Sequence, residues 1–147
     1  MKKRIIKGIL IVIWLAVLLR ITVFRNGCFS HGLFSGRIEW DAFAYYTKLA
    51  RIGYWRYFTY LFVGNLIWFA PAGILVRLRG GKLWQAALAG LGLSLFVETM
   101  QFVLGSGVSE LDDLILNTLG AVLGFALTAL FISVFRRRGG RFRTPDP

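Results

Sequence analysis

Leu114-Ile-Leu-Asn117-Thr-Leu-Gly120-Ala-Val-Leu-Gly124-Phe-Ala-Leu-Thr128-Ala-Leu-Phe-Ile-Ser-Val-Phe135 carries no ionisable side chain from end to end. A helix needs ~20 apolar residues to cross a hydrocarbon layer ~30 Å thick. Backbone amides and carbonyls find no partners in lipid, so a stretch this long and apolar closes its hydrogen bonds within itself, as a helix. Three more segments of similar length and character precede it: Ile5 to Phe24, Tyr57 to Val76, and Leu83 to Leu104. The sequence therefore predicts an all-α polytopic membrane protein, a bundle of four transmembrane helices. Composition agrees. Of the 147 residues 56% are hydrophobic, against about 45–50% in soluble domains, and the mean hydropathy is +0.63. One domain this short has no soluble core large enough for that much apolar surface.

The first segment opens on Lys2-Lys3-Arg4, as a signal peptide would. It is nevertheless long, and Arg20 and Arg25 follow with no small-x-small cleavage site, which marks a retained helix. Cys28 is preceded by Arg25-Asn26-Gly27 rather than by an apolar lipobox, so it reads as an unpaired loop thiol.

The net charge of +11 is not gathered in one patch, which argues against nucleic-acid binding. Lysines and arginines instead cluster between the apolar runs. Lys2, Lys3, Arg4 and Lys7 stand before the first, Arg77, Arg79 and Lys82 between the second and third, and Arg136, Arg137, Arg138, Arg141 and Arg143 after the fourth. The other side holds Arg25, Arg37, Lys48, Arg51 and Arg56, together with Glu39, Asp41, Glu110, Asp112 and Asp113. Positive charge favours the cytoplasmic side, so both ends are expected in the cytoplasm of a bacterial cytoplasmic membrane. The membrane domain spans residues 1–138, and the basic residues 139–147 are expected to be disordered.

In the outer loop from Arg25 to Arg56, Ile38, Trp40, Phe43, Ala44, Tyr46, Leu49, Ile52 and Trp55 recur near helical spacing. An interfacial helix anchored by tryptophan and tyrosine fits this pattern, and so does an irregular loop capping the bundle.

Polar groups inside a membrane are expensive, so their placement carries information. At 1.5 Å per residue, Asn65 lies ~12 Å below the outer boundary and Glu98 ~9 Å, with Gln101 a turn nearer the surface. Asn117 lies about one turn into the fourth segment, after Asp112 and Asp113. On the third segment Ala87, Gly90, Ser94, Glu98, Gln101 and Gly105 make one stripe, and on the fourth Asp113, Asn117, Gly120, Gly124 and Thr128 make another. Gly120 and Gly124 form a small-xxx-small pair that permits close helix approach. Pro71 leaves the Ile67 carbonyl without its helical donor and predicts a kink. The amides alone would serve as glue between helices. Glu98 fits that role less well, because a buried carboxylate needs a partner. Arg20 lies at similar depth, either as that partner or snorkelling outward. Asp112 and Asp113 suit a helix N-terminus. His31 is the lone histidine, so no metal centre or catalytic triad is built on it, and no cofactor is expected.

At these residues the chain resembles the VanZ-like membrane proteins. Asn65-Leu-Ile-Trp-Phe69-Ala-Pro71-Ala-Gly73 is similar to their N-x-x-x-F-x-P-x-G motif, Glu98-Thr-Met-Gln101 to their E-x-x-Q, and Asp112 to Gly124 to their D-D-x-x-x-N-x-x-G-x-x-x-G. The ordered set covers most of the chain from the second segment onward. Many members carry an arginine where this chain has Gly107. The resemblance implies a bacterial cell-envelope protein of a class named for teicoplanin resistance, and it names no reaction. On that basis Asn65, Glu98, Gln101, Asp112, Asp113 and Asn117 are candidate ligand-binding residues, with Pro71, Gly73, Gly120 and Gly124 structural. The ligand class is a lipid-linked cell-wall precursor or a lipoglycopeptide, with membrane lipids as surroundings. Two alternatives stand beside this one. A metal-dependent enzyme acting on a polyprenyl or phospholipid phosphate would hold Mg²⁺ through Glu98, Asp112 and Asp113, although no phosphate-gripping arginine or histidine pairs with those acids. A structural partner in an envelope complex would use the polar groups as glue.

Overall fold

The computed structural model describes residues 2–24 and 32–139. Cys28, His31 and the basic tail from residue 140 lie outside them, as does Arg25 at the start of the outer loop. In chain order the elements are α1 (Lys2–Thr22), β1 (Arg37–Glu39), α2 (Ala44–Arg51), α3 (Trp55–Leu78), α4 (Leu83–Leu104), β2 (Val108–Glu110) and α5 (Leu111–Gly139). Four of them, α1, α3, α4 and α5, are long and apolar enough to cross a membrane. Their outer surfaces are apolar and uncovered by protein: Val12 and Leu127 are both 65% exposed. In water such surfaces would drive association; in lipid they are matched to the solvent. The fold is an all-α membrane-embedded one.

Three spans run past the apolar stretches that announce them. The helix of the first begins at Lys2, that of the second at Trp55, and that of the fourth runs from Leu111 to Gly139. Hydropathy marks the edge of the hydrocarbon, whereas helical hydrogen bonding continues into the headgroup region, where lysine and arginine are good helix formers. α3 runs as one helix through Pro71.

Helix ends are closed locally. Gly80 (φ 78) and Gly105 (φ 55) adopt the left-handed conformation after α3 and α4. After α3 the Gly81 amide donates to the Val76 carbonyl and the Gly80 amide to that of Arg77, both at 3.0 Å. After α4 the Ser106 amide donates to the Gln101 carbonyl (3.1 Å) and the Gly105 amide to that of Phe102 (3.3 Å). Both are Schellman pairs, which occupy carbonyls a helix end leaves open. The start of α4 is closed by Gln85, whose Oε1 accepts the Lys82 amide at 2.8 Å.

The outer loop differs from a single amphipathic helix. Ile38 lies in β1, which pairs in parallel with β2 in the register Arg37–Val108, Ile38–Ser109 and Glu39–Glu110. Among the loop's described residues ahead of α3, only Ala44–Arg51 is helical, with Tyr46 and Leu49 buried and Trp40 and Ile52 exposed, and Trp55, also exposed, opens α3. Gly53 (φ 77) ends that helix, where the Tyr54 amide donates to the Leu49 carbonyl at 2.9 Å.

The chain divides into two compact units. One comprises residues up to 48 together with 93–114, and the other residues 49–92 together with those from 115 onward. In the first unit the segment after α1 returns to the end of α4: the Phe34 amide donates to the Val103 carbonyl (2.9 Å) and the Gly36 amide to that of Phe102 (3.2 Å). Gly36 presses against the Phe102 backbone with no room for a side chain.

In the second unit α3 and α5 run parallel at backbone contact. A Cβ at Gly120 would meet the Leu66 backbone, one at Gly124 the Ala70 backbone, and one at Gly73 the backbone of Ala121 and Phe125. Side-chain-free approach of this kind supplies the close van der Waals packing that holds helices together in lipid. On α4, Gly90 abuts Ala121 and Thr118.

Candidate functional site

In the first unit α4, β2 and the opening turn of α5 converge on Glu98. It is 6% exposed. Its Oε2 accepts the Glu110 amide at 3.0 Å, and its backbone carbonyl accepts the Ser109 hydroxyl at 2.8 Å. One residue thus fixes two consecutive positions of β2. Oε1 of the same carboxylate is buried and has no hydrogen-bond partner among the described residues. Among the described residues its charged neighbours are Asp113, Glu110 and Asp112, all of them acids.

Arg20, the residue placed by depth as a possible partner, donates instead to the Phe24 carbonyl at 2.8 Å and is exposed. Gln101 lies one turn beyond Glu98 on α4. Its Nε2 donates to the Thr22 carbonyl at 3.4 Å, joining α4 to the end of α1. Its Oε1 is buried and, among the described residues, unpartnered, as is the Ser106 Oγ. A Cβ at Gly107 would stand 3.3 Å from Gln101 Nε2, so position 107 borders this group.

Asp112 is 3% exposed, with Glu39 of β1 its charged neighbour. Asp113 is partly buried, and its backbone carbonyl faces the Ser94 hydroxyl of α4 at 3.5 Å. The α4 stripe therefore meets the start of α5 through Ser94 as well as Glu98. Among the described residues no group of three or more histidine, cysteine, aspartate or glutamate side chains is spaced to hold a metal ion. Glu98, Asp112 and Asp113 do not form the metal cradle the enzyme alternative calls for.

Asn65 and Asn117 belong to the second unit. Asn117 is 2% exposed on α5, and Asn65 is partly buried on α3. The register that sets Leu66 beside Gly120 places these two amides within ~3 Å of each other in height along the parallel helices.

Motif order, spans and buried polar positions all belong to a single pattern, and a family model described as VanZ/LLP1 matches residues 7–132. The chain belongs to the VanZ/LLP1 family. No curated protein and no solved structure matches it. In this VanZ/LLP1 chain Ser106 and Ser109 join the candidate group without having been singled out in the sequence. Small hydroxyl residues in a short loop carry no periodic signal, and only their burial at 3% and 9% exposure distinguishes them.

Proposed function

We propose that this VanZ/LLP1 protein lies in the bacterial cytoplasmic membrane with both ends in the cytoplasm. There it binds the head of a lipid-linked cell-wall precursor or lipoglycopeptide at the extracytoplasmic end of α4, and so modulates susceptibility to teicoplanin-type drugs. The observation that carries this reading is the buried Glu98 carboxylate, one oxygen tied to the Glu110 amide and the other without a partner among the described residues. Buried polar groups are nearly always hydrogen-bonded, and an ionisable residue within a span marks function more often than structure. Gln101 Oε1 and Ser106 Oγ extend the group. Carboxylate and amide oxygens accept, and a hydroxyl does either. The set suits a ligand rich in donors, such as the hydroxyl and ammonium groups of a glycopeptide or sugar.

The test is drug tolerance in a host lacking its own copy. Glu98→Gln and Gln101→Ala are expected to lose most of the tolerance that the wild-type chain confers, while inserting at wild-type levels. Full tolerance in both variants removes the site. Orientation is checked separately: a reporter fused within the loop at Gly107 should read outside, and one at Gly80 inside. The reverse result would move the group to the cytoplasmic face and end the proposal.

A further inference from the structure

The second unit contains a cation that its own residues do not satisfy. Arg77 occupies the last turn of α3, with its guanidinium carbon 5.7 Å from the centre of the Phe125 ring on α5. That distance is within reach of a cation–π contact, which uses none of the group's hydrogen-bond donors. The hydrogen-bond donors lie around the edge. Nε is buried and, among the described residues, donates to nothing. No aspartate or glutamate occurs anywhere among the described residues of this unit, so no carboxylate within it pairs with Arg77.

Capping of α3 does not explain the side chain either. The Leu75 carbonyl already accepts the Arg79 amide, the Val76 carbonyl that of Gly81, and the Arg77 carbonyl that of Gly80. Arg79 shares the turn but is exposed, as a solvated charge should be. Arg77 is half-buried at the end of an apolar span, the level at which headgroups lie.

We infer that Arg77, seated on Phe125, is a binding site for the phosphate of an anionic phospholipid. Guanidinium matches phosphate oxygens with paired N–H donors, and basic groups at the ends of spans are where anionic headgroups are held. The acyl chains would lie along the uncovered apolar surface of the spans. The site is independent of the group around Glu98.

Native mass spectrometry of the detergent-purified full chain, titrated with phosphatidylglycerol, phosphatidylcholine or inorganic phosphate, tests it. Wild-type protein is expected to retain phosphatidylglycerol about tenfold more tightly than phosphatidylcholine, the scale of one charge-assisted hydrogen bond. Arg77→Gln should lose that margin, and Phe125→Leu should lose part of it, with helical content unchanged by circular dichroism. Arg79→Gln should bind as wild type. Phe125→Leu keeps the question open to an answer if Arg77→Gln does not fold, since the guanidinium is then present but unsupported. Undiminished phosphatidylglycerol binding in Phe125→Leu and in any folded Arg77→Gln overturns the inference. Equal losses in Arg79→Gln and Arg77→Gln overturn it too, because they show diffuse charge rather than a site. Displacement of phosphatidylglycerol by inorganic phosphate at equal concentration assigns the anion to free phosphate and overturns the lipid.

Discussion

Gly73→Ala is expected to lower the unfolding free energy by about 3 kcal/mol, the upper part of the usual range for forced overpacking. The added methyl group would meet the carbonyl of Ala121 and the backbone of Phe125. Neither can swing aside as a side-chain tip can, so the helices must separate. Separation would strip contacts along the whole α3–α5 seam, including those of Gly120 with Leu66 and Gly124 with Ala70. In lipid this loss has no hydrophobic compensation, because tails are as apolar as the side chains they replace. Phe125 also carries the Arg77 guanidinium, so the same substitution should weaken anionic-lipid retention.

Gly64→Ala is the matched control. It lies on the same helix with nothing within 4 Å of its added Cβ, so it should gain about 0.5–1 kcal/mol through lost backbone freedom in the unfolded chain. Denaturant titration of both variants in detergent reads the two signs directly. Losses of similar size in both would mean that glycine is required for conformation along α3 rather than for contact.

The spans are legible in the sequence because the bilayer imposes a length and a polarity on each, and Leu83–Leu104 is delimited identically by hydropathy and by hydrogen bonding. The small parallel pairing of Arg37–Glu39 with Val108–Glu110 is not legible. Three-residue strands are too short for alternation to show, and their partners are some seventy residues apart in the chain. The one local hint is a glycine before each, Gly36 against the Phe102 backbone and Gly107 beside the Gln101 side chain. Glu98 is legible because a lone carboxylate in an apolar run has few explanations. Its hold on Ser109 and Glu110 is not, since it depends on where the loop folds back. Arg77 shows the opposite case. In the sequence it is one of many loop charges that set orientation. Only the Phe125 ring beside it and its partial burial separate it from the exposed Arg79.

Glu98 should show stability and function moving in opposite directions. Glu98→Gln retains an oxygen for the Glu110 amide and removes a carboxylate whose charged neighbours are all acids. The unfolding free energy is therefore expected to rise by about 1 kcal/mol, since a carboxyl buried among acids must either stay charged or take up a proton on folding, and a neutral isostere does neither. Glu98→Ala deletes the acceptor as well. It should lose about 2 kcal/mol, the cost of leaving a part-buried amide unmatched, and hydrogen exchange at Glu110 should accelerate as β2 loosens. If the carboxylate existed to hold β2, the glutamine variant would keep drug tolerance and the alanine variant would lose it along with stability. A ligand site predicts a different pattern: tolerance falls in both variants, including the one that is more stable than wild type. A group kept at a cost in stability and needed for activity is the usual signature of a functional residue. Denaturant titration and drug tolerance measured on the same two variants separate these cases, and a glutamine variant both less stable and fully active would reverse the assignment of Glu98.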